Sequence, residues 1–435
     1  MNVSNVPEQN SNNSIVPMII IGLLFFIFGF VTWLNGSLIP FLRIICDLSD
    51  FQALFVTFAF YISYTVMALP MAAILNKTGY RNGMAIGLAI MSSGALLFIP
   101  AALSANYILF LIALFVLGTG LTILQTASNP YVVFIGPIES AARRIAVMGV
   151  INKFAGVVVP VVFAALILSD LGDASDLTSR QLSEVEITAL SERLILPYIY
   201  MACALIMLIG LVYFSNLPTI SENSNAHDTE DDRKSIFAYP QIILGAIALF
   251  ANIGMEVIAG DTIGLYGARE NLPHFATLTS YTMIFMLVGY FVGIFTIPKY
   301  MSQSQALYFS AITGFLCIIC ISLSSENSNS VTHTLWGWTG LPLLPNPIFF
   351  VATMGTANAL VWPAIWPLAL KGLGKFTPLG SALLVMSVSG GAIIPLVFGK
   401  IVDMTDNFQM AYLIGIPCYL LIFLYAYKGH KMRHW

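Results

Sequence analysis

Charge is what this chain has least of. Its 435 residues include 18 Lys or Arg and 21 Asp or Glu, 9% of the total, where a soluble globular protein carries about 25%. A surface so poor in charge does not suit a protein bathed in water. The net charge of −3 offers no basic face to nucleic acid. Cysteine is nearly as scarce. Of Cys46, Cys203, Cys317, Cys320 and Cys418, four lie inside apolar runs and Cys46 follows the first run, so no disulfide framework is expected. Cys317 and Cys320 form a C-x-x-C, but inside an apolar segment, where packing is the plain reading. Metal-ligand spacings, a phosphate-binding glycine loop and nucleophile motifs are missing too. No catalytic residue, metal or cofactor is therefore expected, and the chain is not read as an enzyme.

What fills the chain instead is apolar. Hydrophobic residues make up 58% and the mean hydropathy is +0.86. Twelve apolar segments can be marked off: 17–42, 51–75, 83–103, 106–133, 144–169, 195–216, 239–266, 276–298, 304–324, 346–370, 377–401 and 409–428. Each is near the roughly 20 residues that a helix needs to cross a bilayer. Backbone groups cannot stay unpaired in lipid, so these segments are read as helices. The first is too long for a signal-peptide core and has no basic residues before it, so it is read as a retained span. The longest polar breaks are 170–194, 217–238 and 325–345, read as solvated connectors. The middle one divides six spans from six. The expected organisation is a tail at 1–16, a six-helix half at 17–216, a central loop at 217–238, a second half at 239–428 and a tail at 429–435.

Lys and Arg in the loops set the orientation. With the N-terminus inside, 12 of the 18 fall on the inner side and 5 on the outer, leaving Lys153 within a span. Both termini are therefore expected in the cytoplasm. The two halves also resemble each other. "LGTGLTILQTASNP" (117–130) lies over "MGTANALVWPAIWP" (354–367) without a gap, pairing Gln125 with Trp362 and Pro130 with Pro367. "FAGVVVPVVF" (154–163) lies over "SGGAIIPLVF" (389–398). Such a parallel six-plus-six repeat is the arrangement of major facilitator transporters, which hold substrate at the midplane between the halves. The expected fold is an all-α polytopic membrane protein of twelve transmembrane helices in two pseudo-symmetric halves.

Polar groups inside a bilayer mark sites or helix contacts. Asn35 lies near the centre of the first span and is read as a solute contact, whereas Ser37 is read as bonding its own helix backbone. Gln125 and Asn129 are four residues apart on span 4, hence on one face. Their amides suit the hydroxyls of a sugar; an interhelical bond, or relief of the carbonyls freed by Pro130, is the alternative. Trp362 and Trp366 hold the corresponding face of span 10, where an indole can stack on a sugar ring or simply pack. Glu256 and Asp261 are candidates for substrate or ion binding on span 7. Being five apart, they face different ways unless Gly260 breaks the helix. Lys153, about ten residues past Arg143 and Arg144, or roughly 15 Å along a helix, lies near the midplane. It needs Glu256, Asp261 or an anionic solute as partner. Asn152 beside it is a further site candidate.

Together "LNGSLIPFLR", "FQALFVTFAFYISY", "LFVLGTGLTILQTASNPYVVFIGP", "INKFAG", "NIGMEVIAGD" and "LALKGLGKFTPLGSALLVMSVSGGAIIPLVFGKIVD" resemble the fucose permease and glucose/galactose permease family of the major facilitator superfamily. The resemblance runs from about Phe26 to Lys428. It implies an inner-membrane symporter of hexoses driven by H+ or Na+. The family has an Asp where this chain has Gly36, next to a retained Asn35. Gln125 is similar to the glucose/galactose type, and "GMEV" resembles that type around Glu256. Span 5 keeps Asn152 but reads Gly149 and Lys153 where the family reads Gln and Ser.

The resulting expectation is cation-coupled uptake of a monosaccharide by a monomer in the bilayer. Asn35, Gln125, Asn129, Asn152, Trp362 and Glu256 would hold the solute, with Glu256, Asp261 and Lys153 as coupling or charge-pair residues. The alternatives are an organic anion bound by Lys153, an uncoupled facilitator, or a receptor built on a transporter fold.

Overall fold

The computed structural model describes residues 15–134, 141–168, 183–215, 235–297, 299–373 and 376–435. Among these, twelve helices are long and apolar enough to cross a membrane: α1 (Val16–Ile45), α2 (Asp50–Ala68), α3 (Lys77–Leu103), α4 (Tyr107–Ser128), α5 (Arg144–Ile167), α6 (Glu184–Phe214), α7 (Pro240–Arg269), α8 (Phe275–Thr296), α9 (Gln303–Leu323), α10 (Asn346–Leu370), α11 (Leu379–Thr405) and α12 (Phe408–Lys431). No strand occurs among the described residues. Helices satisfy their own backbone groups, which is what a lipid-embedded chain requires. With an even number of crossings, the described ends Ile15 and Trp435 lie on one face, the terminal face; the opposite one is the far face.

The break expected at 170–194 is partly helical. Glu184–Arg193 forms the start of α6, because Ser183 and Glu186 close a capping box around its first turn. Such a cap satisfies two otherwise orphaned N–H groups. Ser191 and Arg193 then donate to the carbonyls of Ala102 and Ile167, tying this segment to α3 and α5. The break at 325–345 likewise holds a short helix, Ser330–Trp336. Most of the central break, 217–234, lies outside the described residues.

The two halves meet along three lines. α2 packs on α11, α5 on α8, and α1 on the last third of α7. No comparable packing joins α4 to α10 among the described residues. Polar contacts between the halves gather at the far face. Asp50, at the start of α2, takes Arg43 at 2.9 Å from its own half and Arg269 of α7 at 3.0 Å. Arg269 also pairs with Asp406, past the end of α11. Asp403 accepts from the Ser49 hydroxyl at 2.8 Å and from the Phe51 N–H at 3.1 Å. Nearer the centre of α1, the Ser37 hydroxyl donates to the Ala276 carbonyl at the start of α8, at 3.0 Å. Ser37 thus bonds across the halves and not to its own helix. This structure is sealed at the far face.

Candidate functional site

The site begins with a defect in α7. Residues Ile258–Thr262 form a π turn between two α-helical stretches. A π turn carries one extra residue and leaves backbone groups without their usual partners. Here α8 supplies them: the Thr279 hydroxyl donates to the Gly260 carbonyl at 2.8 Å and Thr282 to that of Ala259 at 2.9 Å. Gly260 therefore does not break the helix. The wider turn changes the facing of the residues beyond it, and both carboxylates reach the interface between the halves.

Glu256 and Lys153 meet there. The Lys153 ammonium lies 2.5 Å from Glu256 Oε1, and both residues are buried, at 7% and 8% exposure. The same ammonium sits 4.4 Å from the centre of the Trp33 ring. Trp33 can lie so close to α7 because Gly260 has no side chain: a Cβ there would stand 2.5 Å from the indole. One cation from α5, one anion from α7 and one indole from α1 thus form a closed set at the junction of three helices from two halves. Of the expected partners for Lys153, the structure selects Glu256.

Asp261 takes a different partner. Its Oδ2 accepts from the Thr57 hydroxyl of α2 at 3.2 Å, and its side chain is wholly buried. Asn35 is 1% exposed, and its amide nitrogen makes no hydrogen bond. Asn152 spends its amide on the Phe25 carbonyl at 3.3 Å, fastening α5 to α1. Gln125 on α4 and Trp362 on α10 are half-buried, on the two helices that no close packing joins. The Trp362 ring lies 5.6 Å from that of Trp366. The Asn129 side chain lies outside the described residues.

Three residues join the site that the sequence reading passed over. Trp33 is one. Asn252 is wholly buried with neither end of its amide bonded, and Asn358 is 1% exposed with its nitrogen unbonded. Its oxygen accepts from Tyr419 at 2.9 Å. The signal was present for the two amides. Asn252 precedes Glu256 by four residues and Asn358 precedes Trp362 by four, the same spacing that singles out Gln125 and Asn129. Trp33 carries no such mark in an apolar run. Buried amides and indoles with free N–H groups are costly unless something bonds them. Such a lining can hold a polyhydroxylated solute, and the ion pair between the halves can change its state as they move.

The family model for the Major Facilitator Superfamily matches residues 21–395. The chain belongs to the Major Facilitator Superfamily. This facilitator is 32% identical to a glucose/galactose transporter of Brucella abortus biovar 1 (strain 9-941), over 94% of this chain and 93% of the relative. It is 27% identical to the L-fucose-proton symporter of Escherichia coli (strain K12), over 96% and 93%. In fold it is similar to the solved E. coli fucose:proton symporter, with a TM-score of 0.68 at 24% identity, covering 95% of this chain and 98% of that one. The inward open xylose transporter XylE from E. coli is comparably similar, with a TM-score of 0.68 at 14% identity over 96% of both chains. The expected fold is borne out: a multi-pass facilitator of twelve helices in two halves, a transporter and not an enzyme.

Proposed function

We propose that this facilitator takes up a monosaccharide, a hexose such as glucose, galactose or fucose, together with a cation, across the inner membrane. Both termini face the cytoplasm in this reading. Eight described Lys and Arg residues at the terminal-face ends (Lys77, Arg81, Arg144, Lys299, Lys371, Lys428, Lys431 and Arg433), against Arg43, Arg193, Arg269 and Lys400 at the far face, support that orientation. The observation that carries the proposal is the Lys153–Glu256 pair under Trp33, set between the halves, on helices α1 and α7 that also bear the buried Asn35 and Asn252 with unbonded amide nitrogens. Asn35, Asn252, Gln125 and Trp362 would meet hydroxyls and a sugar ring; Asn129 stays in the proposed set by its place one turn beyond Gln125. Asn152 moves to a supporting role, because its amide is engaged. The working unit is a monomer that rocks between two states about the site. Opening the far face requires parting Asp50 from Arg269 and Asp403 from Ser49 and Phe51.

An organic anion held by Lys153 is the weaker reading, since Glu256 already neutralises that charge. Purified protein in proteoliposomes, given radiolabelled hexoses and organic acids under imposed proton or sodium gradients, separates the readings. Accumulation of a hexose above equilibration supports the proposal. Accumulation of an organic acid alone, equilibration without accumulation, or binding without translocation overturns it in favour of the anion, the uncoupled facilitator or the receptor, respectively.

A further inference from the structure

We propose that Asp261 is a proton-binding site, and that its protonation is the condition for sealing the far face. This deepens the cation-coupled reading above and rests on it for the direction of transport.

The geometry of α1 against α7 points to it. Gly36 is pressed onto the π turn so closely that a Cβ there would lie 2.5 Å from the Thr279 hydroxyl, 2.6 Å from the Gly260 carbonyl and 3.3 Å from the Asp261 Cα. That contact encloses Asp261. Its Oδ1 is buried without a partner, and its Oδ2 has the Thr57 hydroxyl. What faces it from each element is neutral. α1 brings Gly36, α2 brings Thr57 and the phenol of Tyr61, and α8 brings Thr279 and Thr282 with their hydroxyls already donated. The next residue, Thr262, is 3.0 Å from the Tyr412 hydroxyl of α12. Besides Asp261, the charged side chains buried among the described residues are Asp50, Lys153 and Glu256. Lys153 and Glu256 hold each other and Asp50 holds two arginines, so α10 and α11 bring no buried counter-charge.

An ionised carboxylate enclosed without a counter-charge is far more costly than a neutral carboxyl. The seal therefore forms around the neutral acid. With the far face open, α1 withdraws from the π turn and water reaches the carboxylate. Hydronium in that water gives a proton to a carboxylate oxygen: one hydronium O–H bond breaks, one carboxyl O–H bond forms, and both charges are removed. Closure follows, and the proton leaves to water entering from the terminal face after the solute has gone. One proton is bound and released per cycle, passing from hydronium on one side to water on the other.

The sign of the pH response separates this site from the far-face network. Asp50 and Asp403 hold the seal as carboxylates, through Arg269, the Ser49 hydroxyl and the Phe51 N–H, which is the opposite charge requirement. Protonating Asp261 closes the seal. The test labels Leu103 and Met404, exposed far-face positions on the two halves, with spin labels in a cysteine-free full chain, and follows their separation from pH 8 to pH 5 without solute. The native chain is expected to shift toward the short distance as pH falls, and Asp261→Asn to hold the short distance at every pH. A native distance independent of pH, or one that lengthens on acidification, overturns the proposal whatever the substrate is. In proteoliposomes, Asp261→Asn is expected to lose pH-gradient-driven accumulation while keeping solute counterflow. Gradient-driven accumulation undiminished in that variant also overturns it. Absence of any hexose transport by the native chain would instead count against the proposed substrate and leave the distance measurement decisive. Should Asp261→Asn fail to fold, Asp261→Ser carries the same expectation of a pH-independent short distance.

Discussion

Deleting the cation from the Lys153–Glu256 pair should open the far face, and by a predictable amount. At 2.5 Å and an effective dielectric of about 20, the attraction is about 7 kcal/mol. Removing two ions from water offsets most of that, so the pair contributes little net stability compared with two neutral residues. Removing one partner is another matter: it strands the other charge, at a cost of about 3–5 kcal/mol. Lys153→Met strands Glu256 and also takes the cation from Trp33, an interaction of about 2 kcal/mol where water is excluded. In a state with the far face open, water reaches the midplane and solvates Glu256, so the penalty falls mainly on the sealed state. A bias of about 3–5 kcal/mol multiplies the open-to-sealed ratio by roughly two to four powers of ten. Lys153→Met should thus turn a mostly sealed population into a mostly open one, read by the Leu103–Met404 label distance. Lys153→Met with Glu256→Gln should return close to the native distribution, because no charge is left stranded. If the single and double variants give the same distribution, or the single variant matches the native chain, the pair does not bias the two states and the reasoning fails.

Other perturbations act on the same contacts. Gly36→Val should drive α1 off the π turn, lengthen the far-face distance and slow transport at least tenfold, with the protein still folded by thermal unfolding in detergent; unchanged distance and rate would contradict the packing. Arg269→Gln removes a shared partner of Asp50 and Asp406, and should raise the far-face-open fraction several-fold, an effect that weakens as salt is raised because this network is partly exposed. Trp362→Ala should raise the KM for sugar roughly 3–10-fold with little change in kcat, the size expected from losing about 0.5–1.5 kcal/mol of aromatic contact; an altered kcat with unaltered KM would move Trp362 out of the binding surface. Asn252→Leu should abolish binding while raising thermal stability, since it replaces an unbonded amide with an apolar side chain.

The architecture was legible because lipid leaves so few choices. A run of apolar residues about 20 long can only be a helix, and the matched prolines at 160 and 395 align the halves without any knowledge of contacts. The site was legible only in part, and the reason is geometric. Lys153 announces itself as a cation at the wrong depth, so the need for a partner is plain from sequence alone. Which carboxylate answers depends on the π turn at Ile258–Thr262, and no composition or periodicity in "NIGMEVIAGDTIG" marks an extra residue in a turn. Asn152 shows the opposite failure. Its position was right, but a polar side chain near a site can be spent on a neighbouring backbone, and only coordinates reveal the Phe25 carbonyl that takes it. The segment at 183–194 departs from the expected connector for a simpler reason: its polarity suits a loop, but Ser183 and Glu186 cap a helix there.

Gly36 ties these strands together. The resemblance implies a carboxylate at this position, and its loss first reads as the loss of coupling. The structure makes a second reading available. A carboxylate on α1 at 36 and the present contact exclude each other, because even a Cβ would collide with the Gly260 carbonyl. With no side chain there, α1 can close on α7, and the carboxyl that the closure must accommodate stands on the other helix, at Asp261. Moving the acid across the interface leaves the logic of a proton-dependent seal intact, since what matters is that an enclosed carboxyl be neutral and not which helix bears it. A chain carrying acids at both 36 and 261 could not make this contact at any pH, since the Cβ at 36 would meet the Gly260 carbonyl whether or not either carboxyl is protonated. Gly36→Asp is therefore the more demanding variant. If it leaves the far face able to seal at neutral pH as the native chain does, the contact between α1 and the π turn is not what gates closure.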